Sequence, residues 1–102
     1  MNWDNFIYLL LYMTLLHKCI IEFIGTFIFL YVIIATGNPY AIGLILTCVI
    51  LIGGKISGGN YNPAVSVMMF LANKLNANEM IPYIFSQLMG ALCAFYLYKI
   101  TK

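Results

Sequence analysis

The sequence predicts an all-α membrane protein made of three transmembrane helices and one re-entrant half-helix. Two observations set that class: 64% of the 102 residues are hydrophobic and only 8% are charged, and long apolar runs recur along the chain. A third sets the unusual element. Ser57-Gly58-Gly59-Asn60-Tyr61-Asn62-Pro63-Ala64 interrupts an otherwise lipid-compatible sequence with glycine and polar residues. Backbone that leaves a helix at membrane depth exposes N–H and C=O groups, which is costly unless they are buried in protein or line water. The break therefore implies a cavity near the bilayer midplane of an integral, multi-pass protein.

Residues 1–18 open the chain. Phe6 to Leu16 is an apolar run of about eleven residues before His17-Lys18, short of the roughly 20 residues that a span needs. An interfacial segment and an extension of the first span both fit. A cleaved signal peptide does not, because Asp4 is acidic, no lysine or arginine precedes the run, and no small-residue cleavage site follows. The first span covers about residues 19–35, between His17-Lys18 and the turn at Gly37-Asn38-Pro39. The second covers about 40–55. Its apolar part stops at Ile52, and Gly53, Gly54, Lys55, Ser57, Gly58 and Gly59 are expected to end the helix there.

The re-entrant segment covers about 56–74. Asn62 stands at an N-cap position and Pro63 at the first helical position, where its missing N–H is no loss. A helix of nine to twelve residues from Pro63 rises roughly 14 to 18 Å, about half of a hydrocarbon core of about 30 Å. Asn73-Lys74-Leu75-Asn76-Ala77-Asn78-Glu79 is the one distinctly polar loop, with Lys74 suited to the preceding helix C-terminus. The last span, about 80–98, ends in Tyr96, Tyr98, Lys99 and Lys102, an aromatic and basic anchor.

The candidate site follows from these elements. Asn62 can donate a side-chain amide to a passing water oxygen, and the positive dipole end of the helix starting at Pro63 repels cations. Glu22 is an intramembrane carboxylate, costly unless paired, and the glycine-rich loop offers backbone N–H partners. Gln87 is read the same way. Gly25, Gly43 and Gly90 are expected to permit close helix packing.

Other chemistry finds little support. Cys19, Cys48 and Cys93 lie in separate apolar segments without metal-ligand spacing, so packing is their expected role and no metal site is expected. His17 reads as a polar flank. Gly53-Gly54-Lys55-Ile56-Ser57 departs from a phosphate-binding loop in its glycine spacing and in the residue after Lys55. No paired-carboxylate, Ser/His/Asp or Cys/His constellation is present, so neither an enzyme nor a cofactor is expected. The net charge of +2 comes from dispersed lysines, which does not suggest nucleic-acid binding.

In order along the chain, Glu22-Phe23-Ile24-Gly25-Thr26-Phe27, Ala41-Ile42-Gly43-Leu44, Ser57-Gly58-Gly59-Asn60-Tyr61-Asn62-Pro63-Ala64-Val65-Ser66 and Gln87-Leu88-Met89-Gly90-Ala91 resemble the motifs of the first half of an aquaporin or aquaglyceroporin. This is the major intrinsic protein family, and the resemblance extends over about residues 19–99. It implies half of an aquaporin-like fold, with Gly58, Gly59, Asn60, Asn62, Pro63, Ala64, Val65 and Ile42 lining or marking a pore and Glu22 and Gln87 supporting the loop. The implied partners are the lipid bilayer, water or small neutral solutes, and either further copies of the chain or a partner half-channel chain.

Departures from the family matter equally. The resemblance places a filter arginine after the second Asn-Pro-Ala of a complete channel, whereas this chain has Val65 after its own and no arginine at all. Ile42 stands where water-selective members often place an aromatic residue. The expected pore is wider and more apolar there, admitting glycerol, urea or ammonia besides water. One half-helix, unopposed, does not enclose such a pore. An antiparallel second copy, a separate complementary chain, and a non-conducting or modulatory subunit are the three assemblies left open. Lys18, Lys55 and Lys74 on one side against Lys99 and Lys102 on the other give only a weak orientation bias.

Overall fold

The computed structural model describes residues 2–102, so Met1, the first residue of the expected N-terminal segment, lies outside the described residues. Four helices follow one another: α1 (Trp3–Thr36), α2 (Pro39–Ser57), α3 (Pro63–Leu71) and α4 (Ala77–Thr101). α1, α2 and α4 are long and apolar enough to cross a membrane. α3, at nine residues, rises about 14 Å and reaches only halfway.

Each helix starts at an asparagine. Asn2, Asn38, Asn62 and Asn76 are the four N-caps, each in extended backbone with its side-chain oxygen accepting a backbone N–H from the first turn. An asparagine cap satisfies one of the donors a helix start leaves orphaned, worth about 1 kcal/mol. Pro39 and Pro63 reinforce two of them by occupying the first helical position with a preset φ. At Asn76 the cap is reciprocal, because the Glu79 side chain also accepts from the Asn76 backbone.

The helix bounds differ from the sequence reading in three places. α1 is one continuous helix of 34 residues, so Phe6 to Leu16 prolongs the first span instead of forming a separate interfacial element. α2 continues through Gly53 and Gly54 to Ser57. Two glycines cost a helix about 1 kcal/mol each, but leaving their backbone groups unbonded at membrane depth costs more. α4 likewise extends past both expected ends, to Ala77 and Thr101.

α1 packs against both α2 and α4, and α3 lies against α4. The buried faces are regular: Glu22, Gly25 and Thr26 on α1; Val49, Gly53 and Ser57 on α2; Tyr83, Gln87, Gly90 and Ala94 on α4. These spacings of three and four are those of a single helix face. Polar and small residues occupy that face. Leu44, Leu51, Ile52, Ile81, Phe85 and Leu92 stand exposed, the arrangement required when the surroundings are hydrocarbon.

At one end of the α1–α4 pair, the Lys18 ammonium donates to Glu79 at 2.8 Å, with the two side chains 30% and 21% exposed. At the other, the Tyr31 and Thr101 hydroxyls lie 3.2 Å apart. Replacing Lys18 with methionine is expected to lower stability by less than about 1 kcal/mol, because a partly solvated pair gains little and is screened by salt. Chemical unfolding at low and high ionic strength checks this. A large loss independent of salt contradicts it. Lys18 lies opposite the first turn of α4, so α1 continues for several turns beyond that helix, with Trp3, Tyr8, Leu11 and Tyr12 exposed along the overhang.

Candidate functional site

The chain leaves α2 at Gly58 and enters α3 at Asn62, and the backbone between them is contorted. Gly58, Gly59 and Tyr61 all have positive φ, at 92°, 65° and 55°. Gly58 caps α2 in the left-handed region, its N–H donating to the Gly54 carbonyl, a conformation that costs glycine little. Tyr61 has no such freedom. An aromatic residue at that φ is an outlier that persists only where its surroundings hold it.

What holds the loop is Glu22, wholly buried on α1. Its Oε2 accepts from the Ser57 hydroxyl at 2.6 Å and the Asn60 backbone N–H at 3.0 Å. Its Oε1 accepts from the Tyr61 backbone N–H at 2.7 Å and the Gln87 amide at 2.9 Å. One carboxylate thus joins α1, the end of α2, the loop and α4. Its two oxygens receive four donors, which offsets the desolvation that makes an intramembrane carboxylate costly.

Ser66, on the second turn of α3, is the other junction. Its hydroxyl oxygen accepts from Gln87 at 2.8 Å and from the Asn60 side chain at 3.0 Å. Tyr83, one turn before Gln87 on the same face of α4, donates from its hydroxyl to the Ser57 carbonyl at 2.6 Å. Among the described residues, two buried oxygens, Gln87 Oε1 and Thr26 Oγ1, have no hydrogen-bond partner.

Asn62 ends the loop exposed, its Oδ1 occupied by the Ala64 N–H at 2.8 Å. That leaves the amide hydrogens directed outward from the start of α3. Gly58 and Ala64 are exposed beside it, and Gly59, Pro63 and Val65 are partly so. The Asn60 side chain turns inward to Ser66 and is buried, while the residue still borders a pocket shared with Ser57, Gly58 and Leu75. Ile42 lies in the first turn of α2, its N–H on the Asn38 carbonyl, at the far end of that helix from the loop.

The three glycines also separate. A methyl group on Gly90 would meet the α1 backbone at Phe23 and Phe27, and one on Gly25 would meet the Tyr61 ring, whereas nothing lies within 4 Å of Gly43. Gly43 therefore makes no close packing contact among the described residues.

Sequence reasoning passed over Ser57, Tyr61, Ser66 and Tyr83. A signal for one of them was present: Tyr83 precedes Gln87 by one turn, so it shares a helix face with a residue already singled out.

Comparison with known proteins gives a consistent result. The family model described as major intrinsic protein matches residues 37–102. A glycerol uptake facilitator protein-like 6 from Lactiplantibacillus plantarum is 38% identical over 88 residues, covering 78% of this chain and 41% of its own length. Aquaporin PIP1-1 from Arabidopsis thaliana is 35% identical over 91 residues, covering 72% and 32%. Aquaporin Z from Photorhabdus laumondii is 35% identical over 95 residues, covering 78% and 41%. The chain therefore spans about a third to two fifths of the length of these relatives. No solved structure gives a significant match. Three apolar spans and a half-helix correspond to half of an aquaporin fold, and with the family model covering most of its length, the chain belongs to the major intrinsic protein family.

Proposed function

We propose that this chain forms half of a passive transmembrane channel for water and small neutral solutes such as glycerol, urea or ammonia. A second half-unit completes the channel, an antiparallel copy of the same chain being the simplest. The reading rests on one observation above all: Asn62 stands exposed at the N-terminus of a half-length helix, where its amide can donate to a solute oxygen while the dipole end disfavours cations. Glu22 and Gln87 act in this reading as supports that hold the loop in place. The relatives named as aquaporins and as a glycerol uptake facilitator support the same solute class.

The chemistry needs no enzyme. Small neutral molecules cross down their gradients by exchanging water contacts for hydrogen bonds with the pore wall, without bond making. Val65 follows the Asn-Pro-Ala and the chain has no arginine, so the constriction of this half is wide and apolar and discriminates weakly by size among small neutral solutes.

Osmotic swelling of vesicles containing the purified chain tests the proposal, with water, glycerol and urea compared in turn. Flux above that of empty vesicles is expected for all three. The Asn62→Asp variant is expected to admit cations, because a carboxylate offsets the positive helix end. Swelling no faster than lipid alone in both forms overturns the channel and favours a non-conducting or modulatory subunit. Strict water selectivity overturns the wide-pore part alone. Labelling of single cysteines from each membrane face decides the partner: one uniform orientation eliminates the antiparallel homodimer.

A further inference from the structure

The side chain of Tyr61 reaches away from Asn62 and into the wall of the protein. Its ring is 2% exposed. It lies in a slot between α1 and α2 that exists because Gly25 and Gly53 have no side chains: a methyl on either would collide with the ring or its hydroxyl. At the bottom of the slot the hydroxyl donates to the Val49 carbonyl at 2.6 Å. The same residue's backbone N–H is bound by Glu22, and its φ of 55° turns the chain sharply just before the Asn62 cap. A small apolar cavity of about 90 Å³, bordered by Ile24, Ile28 and Ile52, adjoins the ring. The ring has room to slide there once its hydroxyl is released.

We propose that Tyr61 is a positioning residue. Ring and hydroxyl act as a peg in the Gly25–Gly53 slot, and the depth of that peg sets where the backbone holds Asn62 and so the width of the opening beside it. Glu22 bonds the loop's amides, which fixes its distance from α1. Glu22 reaches α2 only at its last residue, Ser57, and the peg adds a second hold one to two turns deeper, at Gly53 and Val49. Gly25 is thereby matched in size to Tyr61, and Gly53 to Tyr61 and Ile21 of α1 together. The inference rests on the proposed channel only for its effect on flux, and the placement of the loop can be measured without it.

The test uses the full chain in vesicles, with Cys19, Cys48 and Cys93 replaced by alanine and Ala64→Cys as the reporter beside Asn62. The rate at which a water-soluble maleimide modifies that thiol reads the loop's position, and circular dichroism confirms helicity. Tyr61→Phe keeps the ring and removes only the hydroxyl's bond. It is expected to change the rate roughly fivefold, the population shift that loss of one ordinary hydrogen bond allows. Gly53→Ala, made in an Ile21→Ala background so that only the hydroxyl obstructs the new methyl, is expected to change it further. Adding Tyr61→Phe to Gly53→Ala should then return the rate to that of Tyr61→Phe alone, because the ring carbon bearing the hydroxyl lies 3.5 Å from the added methyl. Such rescue is not expected of a residue that merely fills space. The ratio of glycerol to water permeability is expected to follow the labelling rate.

An unchanged rate in Tyr61→Phe, or a double variant no better than Gly53→Ala, overturns the proposal. Wild-type vesicles that pass neither water nor glycerol overturn the channel instead, and the labelling result still decides the role of Tyr61.

Discussion

Replacing Glu22 with glutamine is expected to destabilise the chain by about 3 kcal/mol, although the substitution changes neither size nor shape. The carboxylate receives four donors on two oxygens. A glutamine offers one oxygen and puts an NH₂ group where the other stood. The Ser57 hydroxyl can rotate to accept from it, and Gln87 can turn its unpartnered oxygen toward it, but a backbone N–H cannot become an acceptor. Whichever way the new amide faces, either Asn60 or Tyr61 keeps a buried N–H opposite another donor. A stranded donor of this kind costs about 1 to 3 kcal/mol, before the lost bonds are counted. Chemical unfolding in mixed micelles measures the total, and hydrogen exchange at the Asn60 and Tyr61 amides locates it. Faster exchange confined to those amides is expected. A stability within about 0.5 kcal/mol of the parent contradicts the account of Glu22 as the residue holding the loop.

Gly90→Ala is the second large effect, expected to cost about 2 kcal/mol by forcing α1 and α4 apart. The added carbon would lie 2.9 Å from the Phe23 carbonyl oxygen, 3.1 Å from the Phe27 nitrogen and 3.1 Å from the Thr26 Cβ. Backbone atoms of a helix cannot move aside as a side-chain end can. The strain therefore passes to the helix pair, which also carries Gln87 and its bonds to Glu22 and Ser66. Gly43→Ala is the control, since no neighbour lies within 4 Å and alanine is the better helix former by about 1 kcal/mol. Equal losses for the two variants, measured by unfolding under the same conditions, would sink the packing explanation.

These two effects show which parts of the molecule could be read from its residues. The spans were legible because hydrocarbon admits few alternatives to an apolar helix, and the start of α3 was legible because Asn62 and Pro63 stand together as cap and first residue. Glu22 and Gln87 were singled out for a related reason, since polar side chains in lipid need partners, and the structure bonds them to each other, with Glu22 also on the loop and Gln87 also on Ser66 of α3. The partners themselves were harder to see. Ser57, Ser66 and Tyr83 are ordinary residues whose importance comes from the face each occupies once the helices pack. Asn60 differs from Asn62 only in the rotation of the chain at Tyr61, a positive φ that local sequence does not announce for an aromatic residue. The glycines misled in both directions. Gly53 reads as a helix breaker yet stays in the helix and opens a slot, and Gly43 reads as a packing position yet, among the described residues, no atom lies within 4 Å of a methyl added there.

The length of α1 links this interior to its surroundings. Thirty-four residues make a rod about 51 Å long, against roughly 29 Å for α2 and 38 Å for α4. A bilayer with a core of about 30 Å meets such a rod by thickening locally or by letting it lean, at a fraction of a kcal/mol for each ångström of mismatch. Glu22 is carried on that rod and bonded to the loop, so a lean of α1 is also a displacement of the loop.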